Sequence, residues 1–174
     1  MKKNGFTLIE TMIMIAIIGI LSIASIFVYQ NYLIRSRVME GLGLAISAKA
    51  KISTDATSNI SLQSTINEWN SGSSGKGMTS KYVESILLKD NAEIEIKYKS
   101  DSIGLSIKSN TLILSPWIRT DDEQTIPLHQ AINNGITGSI DWSCSSASKN
   151  QAIANGMNPR LGTLHPEYAP ASCR

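Results

Sequence analysis

Side chains able to do chemistry are few in this chain and do not converge. His129 and His165 are its only histidines, and neither stands in a zinc-ligand spacing or beside a nucleophile elbow, so each reads as a surface residue. Cys144 and Cys173 lie 29 positions apart (173 − 144) without nearby paired histidines, which does not make a zinc site. Asp121, Asp122 and Glu123 are suited in type to a divalent cation, but a solvated loop tip is the better reading. The stretch Asn70 to Gly77 resembles a phosphate loop only superficially: Gly75-Lys76 lacks a following Ser or Thr, and the position five before Gly75 is Asn70. It reads as a flexible surface loop. Lys97, Lys99 and Lys108 share the outward side of an expected sheet with Glu93 and Glu95, which weakens a DNA-binding patch there. No catalytic set, cofactor motif or metal set emerges, so the chain reads as a non-enzyme. A membrane-anchored exported enzyme and a DNA-binding protein are the remote alternatives.

One carboxylate stands apart. Glu10 precedes and joins an apolar run from Thr11 to Tyr29 that contains no other charge. At about 1.5 Å per helical residue such a run can cross the roughly 30 Å hydrocarbon core of a bilayer. A bare carboxylate inside it costs about 2.5–3.5 kcal/mol, so Glu10 needs a partner. Its neighbours carry more information: Gly5-Phe6-Thr7-Leu8-Ile9-Glu10 follows a short leader with Lys2 and Lys3. This arrangement resembles the class III signal of type IV pilins. An ordinary signal peptide places its small-residue cleavage site after the apolar region, whereas here the glycine precedes it. The resemblance implies cleavage by a prepilin peptidase between Gly5 and Phe6, N-methylation of Phe6, and a role for Glu10 in assembly opposite the Phe6 amine of a neighbouring copy.

The lysines of the leader keep that end cytoplasmic by the positive-inside rule, so the rest is exported. Both cysteines then lie where an oxidising compartment lets them persist as a disulfide. Lys plus Arg numbers 16 against 14 for Asp plus Glu; removing Lys2 and Lys3 leaves 14 against 14, a neutral mature chain without a bulk basic surface.

The elements that position these residues follow from periodicity. Ile34, Val38, Leu42, Ala45 and Ile52 lie near one stripe, and no proline occurs before Pro116, so one helix of about 70 Å is expected from Phe6 to Ser53. Gly19, Gly41 and Gly43 are its weak points. Many type IV pilins have a proline where Phe27 stands, which puts their local helix melting in doubt here. A short helical turn is expected at Ser64–Trp69, and Thr79–Ile86 resembles the family's segment leading into the sheet. Alternation predicts strands at Glu93–Lys99 and Ser102–Lys108, a turn at Ser109-Asn110, a third strand through Leu112 and Leu114, and a fourth at Gly138–Cys144. Cys144 and the terminal Tyr168–Arg174 resemble the disulfide region of type IVa pilins, which implies a Cys144–Cys173 bond.

The expected fold is therefore α+β: a long N-terminal helix on an antiparallel meander of about four strands, with a C-terminal disulfide loop. Its expected divisions are a leader at 1–5, a membrane and filament-core helix at 6–29, an amphipathic half at 30–53, a connecting loop at 54–92, the sheet at 93–144 and the disulfide-bounded region at 144–174. The resemblance implies a structural subunit, a major pilin, that self-assembles into a type IV pilus. It would reside in the inner membrane first and on the cell surface later. Implied partners are further copies of the chain, prepilin peptidase, the inner-membrane assembly machinery and, at filament level, host surfaces or DNA, with adhesion and twitching motility as outcomes. A minor pilin or a type II secretion pseudopilin is the alternative. No cofactor is implied.

Overall fold

Thr7 starts the long helix, and its side chain is the reason the helix starts there. In the computed structural model, which describes residues 5–120, 122 and 124–174, Thr7 is extended and α1 runs without a break over Leu8–Asp55. Helical backbone continues through Phe27, where the family's common proline would remove a hydrogen bond. Polar side chains in the apolar half bond to their own helix. Thr11 donates to the Leu8 carbonyl, Ser22 to Ile18 and Ser25 to Leu21, so no hydroxyl is stranded where water is scarce.

The second half of α1 buries its stripe against a sheet. Val38, Ala45, Ala48 and Ile52 are fully buried, and Ile34 and Leu42 pack at the margin. Strand β1 (Val83–Leu88) pairs antiparallel with β2 (Ile94–Tyr98), and β2 with β3 (Thr111–Arg119). The short β4 (Thr125–Pro127) pairs with the far end of β3, and β5 (Ser139–Ser145) runs along its other edge. Ile94 sits opposite Leu114 and Ile96 opposite Leu112, so one apolar face meets the helix.

The strand expected at Ser102–Lys108 is absent. Ser100–Ile103 forms a single helical turn, α3, ended by Gly104 at φ 87°, a conformation that glycine adopts without strain. Alternation in Ile103, Leu105 and Ile107 is misleading because those residues have three different fates: buried, half-buried and exposed. β2 has no free edge for such a strand, since β1 holds one side and β3 the other. Asn110, not Ser109-Asn110 as a tight turn, closes the connection. Its amide donates to the Tyr98 carbonyl at 2.8 Å and to the Ser100 hydroxyl at 3.3 Å. The shared outward side expected for Lys97, Lys99 and Lys108 is lost with it. Lys108 lies off the sheet, Lys97 pairs with Glu84, and Lys99 donates to the Ser80 carbonyl.

Residues 54–92 are more ordered than their composition suggests. α2 spans Asn59–Gly75 with a non-helical kink at Gly72–Ser74, longer than the turn expected at Ser64–Trp69. Asn70 behaves like an added strand residue, accepting from the Leu88 amide at 2.9 Å and donating to the Leu88 carbonyl at 2.7 Å. Trp69 donates to the Ile86 carbonyl. Together they tie α2 to the outer edge of β1.

Two further helices lie in the C-terminal part, α4 (Leu128–Asn133) and α5 (Asn150–Ala154). Residues 152–160 cover part of the sheet face turned away from α1, whereas Leu164, Ala169 and Cys173 return to the core on the α1 side. Met157 and Ala152 cluster with Trp117, and Arg160 reaches both Glu93 and Glu95 at 3.2 and 2.9 Å. Glu93, expected to point outward into solvent, is buried beneath this cover and also accepts from the Ser115 hydroxyl.

Candidate functional site

The N-terminal end of α1 is organised around Glu10. Thr7 and Glu10 form a reciprocal capping box: the Thr7 hydroxyl accepts from the Glu10 amide at 3.4 Å, and the Thr7 amide donates to Glu10 Oε2 at 2.9 Å. The Thr7 hydroxyl also donates to that same oxygen at 2.9 Å. The carboxylate thus satisfies helix-end amides and sits where the helix dipole favours negative charge. Its other oxygen, Oε1, has no hydrogen bond, and no cation pairs with Glu10 among the described residues. The sequence carried this signal, because Thr7-Leu8-Ile9-Glu10 has the S/T-x-x-E spacing of a capping box.

Gly5, Phe6 and Thr7 lie outside the helix, and Phe6 is 72% exposed. Among the described residues, none beyond the chain neighbours approaches within 4 Å of the place where a Gly5 side chain would begin. The Gly5–Phe6 bond lies ahead of the capping box and is not covered by the head. Lys2 and Lys3 are outside the described residues.

From Leu8 to Tyr29 the helix presents apolar side chains in every direction, and none of the apolar window is covered by the rest of the chain. By length and composition this is the one helix among the described residues able to cross a membrane. Where the head begins, Asn31 donates to the Glu167 carboxylate and Arg35 to the Glu167 carbonyl, while Arg37 donates to the Ser102 and Ile103 carbonyls. These contacts tie the stalk to two separate segments of the head.

Gly41, read from sequence as a weak point, is required by packing. A methyl group there would lie 2.6 Å from Tyr98 Cε1. Tyr98 is fully buried, and its hydroxyl donates to the Val38 carbonyl at 2.8 Å. Burial pushes that phenol's pKa upward. The helix cost of glycine thus permits close approach of α1 to β2.

Cys144, on β5, is disulfide-bonded to Cys173 in the terminal turn Ala171–Cys173. Ser146 donates to the Cys173 carbonyl through both its amide and its hydroxyl, and the Gln151 amide reaches the Arg174 carbonyl at 2.7 Å. The bond thereby anchors the chain end on the sheet. The two histidines do not meet: His129 lines a small cavity with Glu93 and Trp117, while His165 accepts from the Glu167 amide. No group of three potential metal ligands occurs among the described residues. Asp121 and Glu123 of the acidic cluster are outside them.

Comparison with known proteins agrees with this geometry. The chain matches the family model for Pilin (bacterial filament) over residues 34–174 and the prokaryotic N-terminal methylation motif over residues 1–26. The type IV major pilin protein PilE1 of Neisseria gonorrhoeae is 29% identical over 180 residues, covering 99% of this chain and 74% of that protein. The fimbrial protein EcpC of Eikenella corrodens is 28% identical over 179 residues, with 99% and 91% covered. The crystal structure of a Pseudomonas aeruginosa type IV pilin superposes with a TM-score of 0.78 at 42% identity, covering 82% of this chain and 98% of that one. With an uncovered apolar helix, a sheet-bound second half and a stapled C-terminus, the chain belongs to the pilin family of bacterial filament subunits.

Proposed function

We propose that this chain is the major structural subunit of a type IV pilus, assembled through its N-terminal helix after processing between Gly5 and Phe6. The observation that carries the reading is the division of one helix. The stripe of Val38, Ala45, Ala48 and Ile52 is buried in the chain's own head, whereas Leu8–Tyr29 offers an apolar surface with no cover of its own. Such a surface is stable in lipid or against other copies. In this account it resides in the inner membrane before assembly and forms the filament core afterwards.

Cleavage leaves Phe6 as the new N-terminus, one residue ahead of the helix cap, so the capping box survives the cut. The new amine on Phe6 then supplies the positive charge that Glu10 lacks. Within one chain the two groups are separated along the axis, and the capping box already engages Glu10 Oε2. Glu10 Oε1 is left for the amine of an axially staggered neighbour. In low dielectric that contact favours one register, while the apolar surface supplies bulk cohesion. Prepilin peptidase and the inner-membrane assembly machinery are the partners required by this route. Adhesion and twitching motility follow at the level of the filament.

Mass spectrometry of filaments sheared from cells tests the assignment. The expected subunit begins at N-methylated Phe6 and is the principal protein of the preparation. Gly5→Val should leave full-length protein in the membrane; mature, methylated subunits from that variant would overturn the processing site.

A further inference from the structure

An open cavity of about 360 Å³ lies between the second half of α1 and the disulfide region. That is the lower end of the size range of small-molecule sites. Leu42 and Leu114 supply an apolar wall, Gln151 and Asn155 stand at it with exposed side-chain amides, and Lys49 and Trp142 complete it.

Lys49 is the anomaly. Its ammonium lies 5.1 Å from the centroid of the Trp142 ring, an attraction that offers no acceptor to its three N–H donors. It has no ion pair and no hydrogen bond among the described residues. Lys76, Lys81 and Lys108 lack both as well but are exposed, whereas the half-buried Lys51, Lys89 and Lys97 face carboxylates. Burial without a compensating anion holds its pKa below the ordinary lysine value. The side-chain amides of Gln151 and Asn155 likewise make no hydrogen bond among those residues.

A half-buried cation with unmet donors, beside a cavity with an apolar wall and free amides, defines a ligand chemistry. One positive charge matches one carboxylate. A phosphate carries more charge and more acceptors than this single ammonium satisfies. We propose that the cavity is a binding site for a small organic carboxylate, its anionic end on the Lys49 ammonium and its apolar body against Leu42 and Leu114. Gln151 and Asn155 face any polar substituent of that body. The site is independent of the assembly surface at Glu10.

The test uses full-length protein in detergent micelles, titrated with butyrate at constant ionic strength and followed by the indole N–H resonance of Trp142. Butyramide, nearly the same shape without the charge, is the comparison. Saturable shifts with butyrate, and at least fivefold weaker binding of butyramide, are expected. Lys49→Met should reduce that preference below twofold. Equal affinities for the two probes in the wild-type protein would overturn the proposal, as would shifts that never saturate. That comparison needs no variant. A preference for butyrate persisting in folded Lys49→Met would also overturn it.

Discussion

The two halves of α1 solve the same problem in opposite ways. Val38, Ala45 and Ile52 meet β2 and its neighbours within the chain, so the head contains its own core. Ile13, Ile17 and Leu21, on the same helix, are 53%, 53% and 64% exposed and have nothing to meet. Hydroxyls and side-chain amides bond within the chain in both parts, through Ser22 and Ser25 in the stalk and through Asn70, Asn110 and Ser146 in the head. What separates them is where apolar area is buried. The head is a finished structure, and the stalk is one side of an interface. Changes in the head should therefore alter stability, and changes in the stalk should alter assembly.

The largest effect on head stability is expected at the disulfide. It closes a loop of 30 residues, counted 173 − 144 + 1. Replacing both cysteines by serine should cost about 3–4 kcal/mol in the chain-entropy model, read as a loss of unfolding free energy in denaturant. Labelling of native filaments should find no free thiol; two reactive thiols per subunit would contradict the pairing.

Gly41→Ala comes next. The added methyl meets the Tyr98 ring, which is locked by burial and by its bond to Val38, so the helix must move off the sheet. Destabilisation of about 1–3 kcal/mol is expected, although alanine is the better helix former. A stabilised variant would show that the approach of α1 to β2 is looser than described.

Arg160→Leu should cost less, about 1–2 kcal/mol, because the arginine is half-exposed and screened while Glu93 beneath it is buried. The loss should depend on pH. Burial pushes the Glu95 carboxyl up, but hydrogen bonds from Arg160 and Lys89 and their charges outweigh this and hold it below its ordinary value. A carboxylate held low stabilises the fold above its unfolded pKa, and that contribution fades as pH falls through the folded value. The gap between wild type and variant in thermal unfolding should therefore be full at neutral pH and shrink below about pH 4. A gap independent of pH would mean that Arg160 acts through packing alone.

How legible these features were in sequence depended on how local their causes are. The apolar run and the stripe from Ile34 to Ile52 follow from periodicity. The registers do not: turn length places Ile94 opposite Ile107 and Ile96 opposite Leu105, whereas they sit opposite Leu114 and Leu112. The strand expected through Leu105 does not form, because whether β2 has a free edge depends on β1, which alternation alone does not reveal. Glu93 and Arg160 are 67 residues apart, so the cover over the outer face left no local trace. Gly41 looked like a defect because the reason for it, the Tyr98 ring, comes from another element. The capping box at Thr7 was legible in spacing, yet the apolar run drew attention to the charge of Glu10 rather than to its hydrogen bonds.

The claim that Glu10 acts between subunits is tested most directly by counting surface filaments in cells expressing Glu10→Val at the wild-type level. The variant loses the charge and the reciprocal bond to Thr7, while the head is untouched. It should be cleaved after Gly5, accumulate in the membrane with an unchanged head unfolding temperature, and build few filaments. Wild-type numbers of filaments at equal expression would contradict charge pairing as the device that sets the register of assembly.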